Sequence, residues 1–498
     1  MRGRAVRRRP GRGAARRAPC PPRGVALAAP RRPPSLLKSA ATPPTTVQRV
    51  LDWLYRNRWP LAIVLGAFLV RLHWNLLVHP LGDYISSDMR GYVSRAEQMI
   101  DNFGARNEYH AFFPYGTHFL LAAIKAVFGK ENYAAIGTVY ALLGTVVVLY
   151  GYRIATLVSK HRWVPPLLGW FLVFYYPLIS LGGYTLSEVP FGAFLLIASF
   201  HLIRLVQKGE SRDAWLAGAA SAIAMVIRPQ ILLSIVMFGL IWLVTRKGEL
   251  AKVKFRHLVY AGVPLAALMV FSSARLYYHT EGRTGLISEN GRFNQLFGRC
   301  HNKKASATPK EPHRGRIRFG PPPLIQLEKR AKTAPDSWIQ LDPAIGAEIN
   351  YVGYISDEQA LSELMQKCIQ KTGWFGQLKY AAVNIALLAA YNTPWPDSGR
   401  DLWRGPAIRW QTFHTQFLTL PAVLGLVTLL RRKTLARHGM LAMHLVAVIV
   451  TAAIYFGDTR LRAPYDPMFL LLAIEVYAFV ALWLGTAVRR GWSRLRAR

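Results

Sequence analysis

The sequence predicts an all-α polytopic membrane protein with about ten transmembrane helices and thirteen as the upper limit. Three observations lead to this fold class. Of the 498 residues, 52% are hydrophobic and only 18% are charged, a smaller charged share than soluble domains carry. The mean hydropathy is positive, at +0.17. Apolar stretches of about twenty residues, the length that spans a hydrocarbon core, recur along the chain.

Basic residues account for the formal net charge of +37 and predict the topology. They lie in the N-terminal stretch and in short clusters between apolar runs, at 160–162, 204–212, 246–256, 431–437 and 489–498. If the short apolar segment 110–128 stays at the outer surface, as a re-entrant or interfacial segment, all these clusters fall on one side. The positive-inside rule makes that side cytoplasmic, with both termini there. Such a distribution is typical of topology signals and not of a nucleic-acid groove, so no nucleic-acid partner is expected.

Four regions follow from this reading. They are a basic, disordered cytoplasmic tail (1–57), an N-terminal membrane part (58–278) whose first outer loop is 80–131, an extracytoplasmic loop with surface helices (279–407), and a C-terminal membrane part with a basic tail (408–498). The first tail either contacts anionic lipid head groups or is an inert extension or a misassigned start.

The first span, residues 60–79, ends just before a polar stretch that predicts a surface helix. Ser86 and Ser87 are candidate N-caps, and Asp88 would occupy the first turn, where negative charge suits the helix dipole. Tyr92, Ala96 and Met99 recur at helical spacing and predict one apolar edge lying on the membrane. Arg71 lies inside the span itself, and it should face protein or extend to the interface, because a lone charge in hydrocarbon is costly.

The large outer loop has less pattern. Residues 283–323 are rich in Gly, Pro and basic residues and predict irregular loop, whereas 355–371 predict a helix capped by Ser356. Residues 379–391 are apolar but too short to span and are expected at the surface. Cys300 and Cys368 share this loop, and they either pair in an oxidising compartment or are two unrelated thiols.

Polar side chains are expected to gather at the outer ends of the spans. Glu188 opens the fourth span, and either a functional pairing or a favourable helix-start position accounts for it. Arg228 ends the fifth span, where an interfacial arginine is also common. Basic residues between the last two spans run against the positive-inside trend, and the planar donor fork of arginine suits a phosphate. The candidate site residues are Asp83, Asp88, Tyr92, Glu188, Arg228, Arg460 and Arg462, with Arg460 favoured over Arg462.

A family resemblance accompanies these residues. The first span ends in Arg71-x-x-x-Asn75, and Asp88-x-x-x-Tyr92-x-x-x-Ala96 follows. This order resembles the first outer loop of the C-superfamily (GT-C) membrane glycosyltransferases, in the branch of protein O-mannosyltransferases, aminoarabinose transferases and lipopolysaccharide-core galacturonosyltransferases. The segment from Arg460 to Pro467 is similar to the Arg-x-x-x-Pro-x-x-Pro stretch that precedes their final helix.

The resemblance implies an enzyme of the cell membrane that moves a sugar from a polyprenyl-phosphate donor to a hydroxyl of a glycan, lipid or protein acceptor outside the cytoplasm. Asp88 would be the general base, and Arg228 and Arg460 would hold the phosphate in an inverting displacement. The sequence has no nucleotide-binding glycine loop and no zinc spacing, which fits a donor carried by lipid. No cofactor is certain, although Asp83, Asp88 and Glu188 leave room for a divalent cation. The alternatives are a transporter or lipid flippase, and a non-catalytic assembly subunit.

Overall fold

The computed structural model describes residues 57–245, 248–300, 358–390, 394–431 and 435–496, five strands between 304 and 352, and a few positions before 57. Nearly all of the predicted tail, 1–57, lies outside the described residues, as does Ser356. Every element named below belongs to the compact unit Arg56–Arg498. The α-helices are α1 Arg58–His73, α2 Asp88–Asp101, α3 Tyr109–Phe112, α4 Gly116–Phe128, α5 Tyr133–Val158, α6 Val164–Val173, α7 Tyr176–Gly182, α8 Glu188–Lys208, α9 Ser211–Ile227, α10 Ile231–Val244, α11 Phe255–His279, α12 Asn290–Arg299, α13 Glu358–Ala390, α14 Asp401–Phe413, α15 Leu420–Arg431, α16 Leu435–Ile454, α17 Thr459–Arg462 and α18 Asp466–Arg496.

Membrane-spanning helices form the body of the protein. Among the described residues, six helical stretches are long and apolar enough to cross a bilayer. A seventh is the pair α6 and α7, which bends by 46° at its break. Apolar helices of 10–17 residues occur at Gly116–Phe128, Ile231–Val244 and Gly439–Ile454. The multi-pass helical architecture is thus confirmed, while the number of about ten spans stays a prediction.

Helices α8 and α9 form the antiparallel pair that places the two ends of the site. Gly209, at φ +72°, ends α8 in the left-handed conformation that glycine adopts without strain, and α9 starts two residues later. Arg204 near this turn pairs with Asp213 at 3.2 Å. Because α8 has 21 residues, its Glu188 end lies about 30 Å from this turn.

Arg71 faces protein, one of the two outcomes expected for it. The side chain is only 1% exposed, and its guanidinium donates to the carbonyls of Leu172 at 3.0 Å and Val173 at 3.4 Å. These carbonyls lie at the end of α6, where the helix breaks before α7, and the Leu172 carbonyl also accepts from the Tyr175 N–H at 3.5 Å. Gly144 on α5 provides the space for the Arg71 side chain, because a Cβ at position 144 would lie 2.7 Å from Arg71 Cδ. The arginine therefore satisfies the backbone of a bent span.

The helix predicted in the first outer loop is confirmed as α2, Asp88–Asp101. The predicted placement of its apolar edge on the membrane is wrong, because Tyr92, Ala96 and Met99 are each at most 9% exposed and pack in the protein core. The predicted capping is wrong for both serines. Ser87 has φ 50° and makes no side-chain cap bond, and the Ser86 hydroxyl instead accepts from Arg400 at 2.8 Å.

The outer loop is more ordered than predicted. Residues Asn290–Arg299, expected as irregular loop, form α12, because Phe293, Leu296 and Cys300 recur at helical spacing; Leu296 and Cys300 are buried and Phe293 packs on Phe112. Five short strands were also not predicted. They are β1 Lys304–Ala307 and β2 Ile317–Gly320, an antiparallel pair, and β3 Ile325–Lys329, β4 Asp336–Leu341 and β5 Glu348–Val352, an antiparallel sheet in that order.

The second half of the loop is one bent helix. Within the described residues, the two segments predicted separately at 355–371 and 379–391 fall in α13 over 358–371 and 379–390, and this helix breaks at Gly373 with φ 63°. A left-handed residue inside the helix explains why the sequence pattern reads as two pieces. Cys368 on α13 is joined to Cys300, next to α12, by a disulfide bond.

Candidate active site

Four helix ends bring four charged residues together. Asp88 is the first residue of α2, Glu188 is the first residue of α8, Arg228 directly follows α9, and Arg460 lies on the short α17. They are far apart in sequence, but they form one group that we call the acid–arginine cluster. Asp88, Glu188, Arg228 and Arg460 were all predicted as site residues.

The cluster is a chain of ion pairs. Arg460 Nη1 lies 3.1 Å from Asp88 Oδ2, and Arg460 Nε lies 2.9 Å from Glu188 Oε1. The same Glu188 oxygen also pairs with Arg228 Nη2. Two carboxylates therefore balance two guanidinium groups, which offsets the desolvation cost of placing these charges together.

Burial differs along this chain of charges. The side chain of Glu188 is 1% exposed and that of Arg228 is 11% exposed, whereas Asp88 is 25% exposed. Asp88 and Arg460 thus face an accessible side, and Glu188 and Arg228 form the buried end. Arg228 Nε also donates to the Ser187 hydroxyl at 2.8 Å, which fixes the orientation of its guanidinium.

Two atoms at the buried end are unsatisfied. Within the described residues, neither Arg228 Nη1 nor Glu188 Oε2 has a hydrogen-bond partner. A buried donor without a partner costs about 1–3 kcal/mol, so an acceptor that reached the Arg228 N–H group would remove this cost. A phosphate oxygen is an acceptor of that kind.

Tyr92 borders the cluster, as predicted for a neighbour of Asp88. It lies one helical turn after Asp88 on α2 and packs on the Phe113 ring at 4.9 Å between centroids. Burial raises the pKa of Tyr92, and the nearby Asp88 and Glu188 carboxylates act in the same direction. The phenol is therefore a neutral hydrogen-bonding group at physiological pH.

Two predicted residues lie outside the cluster. Asp83 is exposed on the short helical turn Leu81–Tyr84. Arg462 is buried and pairs with Asp466 at 2.7 Å, and it also donates to the Leu388 carbonyl. Because α17 rotates successive side chains by roughly a third of a turn each, Arg462 points away from the side that Arg460 occupies. Its contacts describe a structural ion pair at the start of α18.

Asp83, Asp88 and Glu188 do not form a metal-binding group. Among the residues that the structure describes, no three His, Cys, Asp or Glu side chains are arranged to hold a metal ion. The carboxylates of the acid–arginine cluster are both engaged by guanidinium groups instead.

A pocket next to the cluster contains residues that were not predicted. It lies between α7, the segment 394–397 and α17, and its lining includes Tyr176, Ser180, Trp395, Asp397 and Arg460. The carboxylate of Asp397 is buried and accepts from the hydroxyls of Tyr184 at 2.7 Å, Tyr176 at 2.8 Å and Ser180 at 2.5 Å. Pro394-Trp-Pro-Asp397 is a usable signal in the sequence, since two prolines hold an aromatic residue and an acid in a fixed loop.

Residues 113–277 match the sequence model of the dolichyl-phosphate-mannose-protein mannosyltransferase family, a segment that includes Glu188 and Arg228. The predicted resemblance to the C-superfamily glycosyltransferases is confirmed. No curated protein matches the sequence.

Solved structures similar to this chain include an archaeal oligosaccharyltransferase and ArnT. The archaeal oligosaccharyltransferase AglB from Archaeoglobus fulgidus, in complex with an inhibitory peptide and a dolichol-phosphate, is 14% identical with a TM-score of 0.41, over 88% of this chain and 52% of its own. This chain thus spans about half the length of AglB. ArnT from Cupriavidus metallidurans bound to undecaprenyl phosphate is 13% identical with a TM-score of 0.38, over 84% of this chain and 78% of its own.

Proposed function

We propose that the protein transfers a sugar from a polyprenyl-phosphate-linked donor to an acceptor hydroxyl on the extracytoplasmic side of the cell membrane. The observation that carries the proposal is the acid–arginine cluster, in which one guanidinium group bridges an accessible carboxylate and a buried one. Asp88, the proposed base, is thus in contact with Arg460, and Arg228 and Arg460 share the Glu188 carboxylate. The family match and the lipid-phosphate ligands of AglB and ArnT support a donor of this class.

The reaction is a single displacement. The acceptor oxygen attacks the anomeric carbon, its proton passes to the Asp88 carboxylate, and the bond between that carbon and the phosphate oxygen breaks. The electron pair of this bond leaves with the polyprenyl phosphate. Arg228 and Arg460 stabilise the charge that grows on the phosphate as the bond breaks. One displacement inverts the anomeric centre.

Donor binding changes the partner of Arg460. In the structure the Nη1 of Arg460 contacts Asp88, so the proposed base is engaged. A donor phosphate that binds Arg460 and the unpartnered, buried Nη1 of Arg228 replaces Asp88 in this pairing. The carboxylate is then released toward the acceptor only when the donor is in place.

The basic clusters support an extracytoplasmic site. Glu188 and Lys208 are the two ends of α8, and the loop after Lys208 carries the predicted cytoplasmic cluster 204–212. By the positive-inside rule the Lys208 end faces the cytoplasm. The Glu188 end, with the cluster, then faces outward, and both termini are cytoplasmic. In this arrangement ten crossings comprise α1, α5, the α6–α7 pair, α8, α9, α10, α11, α14–α15, α16 and α18.

Purified protein in proteoliposomes with labelled polyprenyl-phosphate sugars tests the function. Transfer of label to an added acceptor fraction supports the proposal. Movement of the labelled lipid between leaflets without transfer would instead identify a flippase. If the protein showed neither activity, the non-catalytic assembly role would be the remaining alternative. The side of the membrane that the site faces is tested with Asp83→Cys and Lys208→Cys, each labelled from outside intact cells by a thiol reagent that does not cross the membrane. Only Asp83→Cys should react.

A further inference from the structure

The pocket beside the acid–arginine cluster adjoins the proposed reaction centre. Its lining includes Arg460, whose guanidinium lies over the Trp395 ring at 4.6 Å while its nitrogens contact Asp88 and Glu188. One side chain therefore belongs to both the pocket and the cluster.

The walls of this pocket combine an aromatic surface with hydrogen-bonding groups. Trp395 is half-buried, so part of its ring is open to an occupant. Asp397 accepts three hydroxyl bonds, two on Oδ2 and one on Oδ1, whereas a carboxylate has about four acceptor positions. One position therefore remains for a hydroxyl donor. An apolar ring face beside a buried acceptor suits a molecule that has both CH and OH groups.

The charges of the lining residues favour binding of the phosphate at Arg460 only. Of the two lining arginines, Arg462 is neutralised by Asp466 at 2.7 Å. Arg460 is the one that can exchange a carboxylate for a phosphate, because its partner Asp88 is 25% exposed. Asp397 also lines the pocket, and its negative charge opposes a second anionic group there.

From this arrangement, and resting on the proposed function, we infer that the pocket receives the sugar ring of the donor, with Trp395 under the ring and Asp397 accepting a ring hydroxyl. The sugar is bonded to the phosphate and so must lie beside the phosphate-binding arginine. Asp88, the base for the acceptor, is not part of the lining, so the acceptor approaches from the other side of Arg460. Trp395 and Asp397 are then the residues that select the donor sugar.

Binding measurements on two kinds of ligand test this inference. The probes are polyprenyl phosphate without sugar and the same carrier bearing one of a set of hexoses and pentoses. The wild-type protein should bind at least one sugar-bearing carrier more tightly than the bare one, by about tenfold, the order expected of one aromatic contact. Trp395→Ala should bring the ratio of the two affinities to one. This ratio is the readout, because the ring also contacts Arg460 and its loss can change the affinity for bare carrier as well. Trp395→Phe should retain part of the difference.

Asp397→Asn supplies a second variant that does not touch Arg460. It should change the ranking among sugars without changing the affinity for bare carrier. Trp163→Ala, at the opposite end of the membrane part, is the matched control and should bind as the wild type does. Each variant is first checked for an unchanged melting temperature.

The outcomes separate this inference from the proposed function. If Arg460→Ala leaves the binding of bare carrier intact, the phosphate assignment fails and both proposals fall. If Arg460→Ala abolishes that binding but the wild type does not distinguish sugar-bearing from bare carrier, the function stands and the sugar pocket is rejected. Equal losses for both ligands in Trp395→Ala would also overturn the sugar assignment.

Discussion

Arg460 and Asp88 lie 372 positions apart in the sequence and form an ion pair of 3.1 Å. The contact joins the start of α2 to the segment before the last span. In the proposed mechanism, this contact joins the base to the group that is to bind the phosphate.

Removing the Asp88 charge should therefore favour binding of the donor phosphate. In Asp88→Asn the guanidinium of Arg460 no longer has to leave a carboxylate, so the affinity for bare polyprenyl phosphate should equal or exceed that of the wild type. Isothermal titration in detergent measures this. A clear loss of affinity would show that Asp88 contributes to holding the phosphate and is not its competitor.

Substitution of Arg460 should weaken carrier binding, whereas substitution of Arg462, two residues away, should lower the stability of the fold. Arg460→Ala should lose at least tenfold in carrier affinity, because a charge-assisted contact to phosphate contributes about 1.5–3 kcal/mol. Arg462→Ala leaves Asp466 buried without its partner, so the loss should appear in the free energy of unfolding, at about 3–5 kcal/mol. Carrier titration and thermal melting of both variants make the comparison. The reverse pattern would exchange the roles assigned to them.

Arg71 should be a stability residue. Arg71→Leu keeps the span apolar but removes a donor from the Leu172 and Val173 carbonyls at the α6–α7 break, and a buried group left unsatisfied costs about 1–3 kcal/mol. The melting temperature in detergent should fall, while Arg153→Leu, an exposed position on α5, should melt close to the wild type. Equal stability of Arg71→Leu and the wild type would mean that the broken span does not need this arginine.

Two outer histidines should make the fold sensitive to acid. Burial lowers the pKa of His79 from 6.5 to about 4, with Arg400 acting in the same direction. Burial, followed by His279 and Arg275, lowers the pKa of His110 to about 4 as well. A histidine of this kind binds its proton more weakly in the native protein than in the unfolded chain. The stability it contributes is present above pH 6.5 and is lost as the pH falls from there toward 4.

Melting temperatures between pH 7.5 and 4 check this expectation. The wild-type value should drop across that window, and the drop should be smaller in His79→Gln and in His110→Gln. Parallel curves for all three proteins would assign the acid sensitivity to other groups.

Sequence reasoning found the cluster because each of its members stands at the end of an apolar run. Asp88, Glu188, Arg228 and Arg460 are costly in a bilayer, and ends of spans on one side must lie near one another. Sequence could not show that Arg460 and not Arg462 joins them, because the rotation of a four-residue helix is set by its packing. Asp397 was missed since it follows a short loop and not a span.

The fold was predictable to a similar extent. Hydropathy predicts spans well because the bilayer forces the backbone to bond within each helix. The break in α13 at Gly373 and the strands of the outer loop depend on tertiary contacts that have no clear periodic signal.

Turnover by Asp88→Asn is the most direct test of the central claim. The account predicts that this variant inserts, melts as the wild type does and binds polyprenyl phosphate, yet transfers sugar about 10²–10⁴-fold more slowly, the share of a barrier that a general base removes. Single-turnover assays with labelled polyprenyl-phosphate sugar give the rate. Transfer at the wild-type rate by a folded Asp88→Asn protein would contradict the assignment of the base.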